Sequence, residues 1–96
     1  MKNAIASVDF FATSEVEGTR RLSLVIAAPE RAATGESWQC RVALADLHRP
    51  ETALGRDSVE ALWRAMSIGR AWIAELDTPE RVLTRDRAGE IPFEVS

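Results

Sequence analysis

Cysteine and histidine occur once each in this 96-residue chain, as Cys40 and His48. A single cysteine excludes an intramolecular disulfide and a thiolate metal cluster, and it is compatible with a reducing compartment. A single histidine means that a metal site would have to recruit carboxylates or Cys40. Lysine is almost missing too: Lys2 is the only one, and the other basic side chains are arginines interspersed with acids along both halves. No basic stripe is present to follow a phosphate backbone, which argues against nucleic-acid binding. No apolar run approaches the roughly 18 residues of a membrane span. The segment from Met1 to Asp9 meets an acid before any apolar core of about seven residues, so it does not read as a signal peptide. Together these absences predict a cytoplasmic protein that engages neither membrane nor nucleic acid and carries no metal or cofactor.

What remains is an ordinary folded composition, with 28% charged residues and a net charge of −3. A chain of this length fits one domain over residues 1–96 and buries only about two-thirds of its unfolded surface. One helix laid on one sheet is the economical architecture.

The stretch Gly55-Arg56-Asp57-Ser58-Val59-Glu60-Ala61-Leu62-Trp63 opens the one long amphipathic run, predicted as a helix from Ser58 to about Leu76. At 100° per residue, Val59, Leu62, Met66, Gly69, Ile73 and Leu76 share one side, which is taken as the core face. Asp57 is the natural N-cap, and Glu60, three residues on, is placed to reach back to the cap's own N–H. Gly69 sits inside the apolar face, where it predicts close approach of the sheet.

Before the helix, period-two alternation predicts strands over residues 4–13, 19–28 and 38–44, with Val8, Phe10, Leu22, Leu24, Ile26, Trp38, Cys40, Val42 and Leu44 turned inward. Gly18 provides the turn between the first two. Residues 29–37 read as a loop with a helical turn across residues 30–33, and a short strand at residues 51–54 follows the turn at Pro50. After the helix, Pro79 marks the stop, residues 81–84 form a brief strand, and Ile91-Pro92-Phe93 anchors a tail. The fold class is therefore α+β: an antiparallel meander of three to four strands, then one long helix packed on one sheet face, then a short C-terminal strand or tail.

Candidate chemistry is sparse. Ser58, His48 and Asp57 could be imagined as a triad, yet Asp57 and Ser58 are better used at the helix start, and no strained nucleophile turn surrounds the serine. Cys40 faces inward and behaves as a small hydrophobe. Arg56, with His48 and Arg49, is a candidate anion site near the helix N-terminus, opposed by the carboxylate of Asp57. The stronger anomaly is apolar residues on faces that should be wet. Ile5, Phe11, Val25 and Leu47 on the odd side of the sheet, with Ile68 and Trp72 on the helix, define a candidate interaction surface unless the tail carrying Ile91 and Phe93 folds over it.

The Trp38-Gln39-Cys40 strand followed by Gly55-Arg56-Asp57-Ser58-Val59-Glu60-Ala61-Leu62 resembles a family of small bacterial proteins known as a domain of unknown function. Its pattern is W-x-C and then G-x-D-S-x-[Q/E]-A-L. The resemblance covers the middle and C-terminal two-thirds of the chain and brings no catalytic residue with it. The strand-to-helix order also looks like small bacterial antitoxin and immunity folds in topology alone. With no acid, base or nucleophile set in view, the expectation is a non-enzymatic bacterial interaction module that binds a protein partner or itself. The alternatives are a small-molecule or anion binder at the helix start and an immunity- or antitoxin-like protein.

Overall fold

In a computed structural model, which describes residues 3–94, the chain forms six strands and one helix. They are β1 (Ala4–Ser14), β2 (Gly18–Ala27), β3 (Glu30–Arg31), β4 (Trp38–Leu44), β5 (Glu51–Gly55), α1 (Ser58–Leu76) and β6 (Val82–Thr84). The α+β class, the antiparallel meander, the long helix and the short C-terminal strand are all present. Gly18 takes the positive φ of +73° that the β1–β2 turn requires. No helix among the described residues is long and apolar enough to cross a membrane.

The sheet is antiparallel throughout, and across it the strands lie β5, β4, β2, β1, β6. Residues 30–33 do not form the anticipated helical turn; β3 instead continues the line of β2 along β4. Ile26 opposes Val42 while Glu30 opposes Gln39, so the β2–β3 side carries one residue more than β4 between these pairs. Pro29 falls in this bulge, where its missing N–H removes nothing from the ladder. Even-numbered residues of β1, β2 and β4 turn to the helix, and Phe10, Leu22, Val42 and Leu44 are fully or almost fully buried there. Val8 and Leu24, also expected in the core, are only half-buried.

The helix lies over β4 and β5 and touches β2 lightly. Its buried residues are Ala61, Ala65, Gly69, Trp72, Ile73 and Leu76. The anticipated face was centred about 60° away, because large apolar residues dominate a hydrophobicity sum while contact with a flat sheet rewards small ones. Ala61, Ala65 and Gly69, four residues apart, form a flat strip that lets the helix sink onto the sheet. Consequently Val59 and Met66, expected in the core, are 50% and 44% exposed, and Leu62 is half-buried.

Two glycines mark the closest approaches. A Cβ on Gly69 would lie 3.1 Å from Leu24 Cδ1 and 3.6 Å from Val42 Cγ2. Leu24 is half-buried and can rotate away, and alanine gains about 1 kcal/mol in helix propensity. Gly69→Ala is therefore expected to change stability by less than about 1 kcal/mol, read by urea denaturation.

At the helix start Asp57 caps as anticipated, its Oδ1 accepting the Glu60 N–H at 2.8 Å. The return bond differs. Glu60 accepts from the backbone N–H of Arg56 at 2.9 Å and from the Arg56 guanidinium at 3.1 Å, one residue earlier than the expected Asp57 N–H. The extended backbone of Asp57, φ −145° and ψ 174°, accompanies this displaced closure.

Candidate interaction surface

The two faces of the sheet are treated differently by the C-terminal segment. Phe93 stacks on Phe10, ring centroids 4.6 Å apart and planes within 7°, which places it on the helix side. Its N–H donates to the Leu83 carbonyl, and Pro92 bridges Thr84, so the tail extends β6 as an edge, as the proline requires. Among the described residues the tail therefore closes the inner face and leaves the outer one open, apart from the Arg87 guanidinium 5.0 Å from the Phe11 ring centroid.

On the outer face Phe11, Val25 and Ala43 are half-buried with no layer above them among the described residues, and Ile5, 54% exposed, is the extra residue where the β1–β2 register shifts between Ala4 and Ala6. Val25 lies between Ala43 on β4 and Ser7 on β1. Beside this apolar strip Asp9 accepts from Arg21 at 2.7 Å and from the Ser23 hydroxyl. The Ser23 hydrogen bond and then that of Arg21 hold the Asp9 carboxyl below the usual carboxylate range. Leu47 lies in the turn after β4, 37% exposed.

Ile68 and Trp72 do not belong to this surface. The rotation of the helix carries both toward the sheet: Trp72 is 7% exposed and Ile68 packs partly buried against the core. His48 stacks on the Trp72 ring at 4.7 Å, with Nε2 3.8 Å from Glu75. The only histidine thus serves as a lid on a buried indole, near the end of the helix.

The same placement dismantles the anion site. Arg56 precedes the helix and is held by Glu60, whereas His48 meets Trp72 and Glu75, about 20 Å further along the helix axis. Arg49 is exposed in the turn beside His48. At the helix start the Glu60 N–H is taken by the Asp57 carboxylate, and the Arg56 N–H just before it by Glu60. Cys40 is 1% exposed, its thiol donates to the Ala27 carbonyl, and burial pushes its pKa up, which removes it as a nucleophile. Ser58 is the first helical residue, with His48 far from it. Among the described residues no three His, Cys, Asp or Glu side chains gather as a metal site would need. A groove of about 380 Å³ between the helix and Phe93 has Arg70 and Asp77 as its only charged lining groups.

Two further exposed features escaped the periodicity. The first is a helical ridge of Val59, Leu62, Trp63 and Met66, with Trp63 66% exposed. The spacing of Ala61, Ala65 and Gly69 was the available signal, since a strip of small residues is a packing face in its own right. The second is an open strand edge. On β1, β6 reaches only Phe11, Ala12 and Thr13, so among the described residues the segment 4–10 of β1 pairs with a strand on one side alone.

Acid sensitivity follows from the carboxylates. Asp9, Glu60 and Asp86 all sit below their ordinary values: Asp9 chiefly through Ser23, Glu60 through Arg56, and Asp86 through the Ile91 N–H. Each binds its proton more readily unfolded than folded. Their contribution is complete above the unfolded values near pH 4 and is lost as pH falls through the lowered folded values. Thermal melts are expected to show a plateau above about pH 5 and a decline below about pH 4, with a shallower decline in Glu60→Gln.

Compared with models of protein families, with curated proteins and with solved structures, the chain matches none.

Proposed function

We propose that this chain is a non-enzymatic protein-interaction module that offers the outer face of its sheet to a protein partner or to a second copy of itself. What supports this is one observation: the aromatic residue of the tail, Phe93, packs on the helix side, so Val25, Ala43 and Phe11 keep a common surface without a second layer among the described residues. The polar groups offer no competing chemistry, because Asp57, Glu60 and Arg56 close the helix start and His48 covers Trp72. The proposal includes a cytoplasmic setting, in keeping with a lone buried thiol.

The test compares the wild type with Val25→Arg, first by sedimentation and then by quantitative capture of partners from the source cell. An arginine at this half-exposed site can reach solvent in the free chain but becomes an unpaired buried charge in an interface. Capture of a specific protein, or any self-association that buries this face, is expected to weaken at least about tenfold, while contacts made elsewhere on the chain stay as they are. If Val25→Arg changes no association of the chain, the outer face is not the site.

A further inference from the structure

We propose that the chain forms a two-fold symmetric dimer in which the open edge of β1, residues 4–10, pairs antiparallel with the same edge of a second copy. This rests on the interaction-module reading but names the occupant and a different surface: the strand edge.

The first observation is the direction of the free hydrogen-bonding groups. Thr84 opposes Phe11, while its two chain neighbours bond outward, the Leu83 carbonyl accepting from the Phe93 N–H and the Arg85 N–H donating to the Ile91 carbonyl. Thr84 therefore directs its own N–H and C=O at Phe11, and Phe11 directs its pair at β6. By alternation Ser7 and Asp9 aim their N–H and C=O at the empty edge. Two facts agree. Asp9 and Ser23 bond through their side chains, and Thr13 and Thr19 hydroxyls lie 3.0 Å apart, as in the closer pairs that exchange no backbone bonds. The protection usual for an edge is also missing: residues 4–10 hold no lysine, no proline and one acid, Asp9.

The second observation is self-complementarity. The free segment runs between Asn3, whose φ of +59° turns the chain out of the strand line, and Phe11, where β6 begins. Its midpoint is Ser7. Pairing about Ser7 sets Ser7 against Ser7, Ala6 against Val8 and Asp9 against Ile5. A centre at Asp9 would oppose two carboxylates, and a centre at Ile5 meets the irregular register between Ala4 and Ala6. The turn at Asn3 also leaves room for the partner's β6, which in this pairing arrives beside it.

The third observation is where the helix sits. Ile73, on the β1 side of the helix, lies near Phe93 and Leu83. Two to four turns earlier the same flank presents Met66, Leu62, Val59 and Trp63, turned toward the β1 side of the sheet. A two-fold axis perpendicular to the sheet puts both helices on one side of the paired sheets, set back over β4 and β5, so the strand edges themselves carry the contact. Seven edge residues a side are fewer than the roughly 20–30 of a standard interface, so dissociation is expected in the micromolar range.

Sedimentation equilibrium of the full chain tests this with three variants. Ser7→Pro removes an N–H that points away from β2, so the fold should survive while the new ladder cannot form. Ser7→Asp leaves the backbone intact and sets two carboxylates opposite each other at the axis. Val25→Arg reports on the outer face alone. The expected result is a wild-type dimer at about 100 μM, at least tenfold weaker association in both Ser7 variants, and an unchanged dimer in Val25→Arg. A wild type that remains monomeric overturns the pairing and leaves the outer-face reading to its own capture test. A dimer broken by Val25→Arg but not by either Ser7 variant overturns the pairing and favours the outer face. A dimer indifferent to all three overturns the pairing and removes self-association from the outer face.

Discussion

Gly55→Ala is expected to lower the melting temperature by roughly 12 °C or more, the effect of an overpacking cost near 3 kcal/mol in a domain of this size. A Cβ at this position would fall 2.4 Å from the backbone nitrogen of Ala61 and 2.9 Å from its Cα. The obstacle is the first turn of the helix itself, tied down by the bonds among Asp57, Glu60 and Arg56, so no side chain can swing aside. Gly55 also faces Trp38 at the end of the β4–β5 ladder, which prevents the strand from retreating. The contrast with Gly69, where the obstruction is the flexible end of Leu24, separates the need for empty space from any general intolerance of alanine. A Gly55→Ala protein melting within about 3 °C of the wild type would mean that the helix does not rest on this strand as described.

Phe10→Ala is expected to cost about 3–5 kcal/mol, measured by urea denaturation, because Phe10 is fully buried and its ring stacks on Phe93. Half-buried Phe93 should cost less on truncation, and the two losses should not add: once Phe10 is gone, Phe93 has no ring to stack on. A coupling of about 1 kcal/mol in the double-mutant cycle is the expected size for an aromatic pair. Additive losses would show that the tail does not close the inner face. That result would reach beyond stability, since a tail free of Phe10 could cover the outer face instead.

Much of this fold was legible because its signals are local. Alternation in β1, β2 and β4 identified strands, Asp57 marked the helix start, and Pro79 marked its end. Errors arose where partner geometry decides. Glu30 and Arg31 became strand because β4 offered an unpaired edge beside them, a fact no local window contains. The helix rotated toward Ala61, Ala65 and Gly69 because depth of contact, not side-chain size, decides which face meets a sheet. That single rotation moved Trp72 and Ile68 out of the candidate surface and brought Val59, Trp63 and Met66 into the open. His48 and Arg56 were joined as one anion site by closeness in sequence, yet the helix carries the two ends apart. Period-two alternation was enough to set Phe11 and Val25 on the face away from the helix, while at Ile5 the register shift between Ala4 and Ala6 interrupts it.

The open edge of β1 was not legible at all, since it depends on how little of that strand the last strand covers. It is also where the proposed dimer is most exposed to test. Amide hydrogen exchange across β1, measured on the full chain at low micromolar and at high concentration, reads each N–H separately. Phe11 and Thr13 should be protected at both concentrations, whereas Ser7 and Asp9 should exchange freely when dilute and slow by about tenfold or more when concentrated. Ser7 and Asp9 amides that exchange at the same rate at both concentrations would contradict the dimer directly.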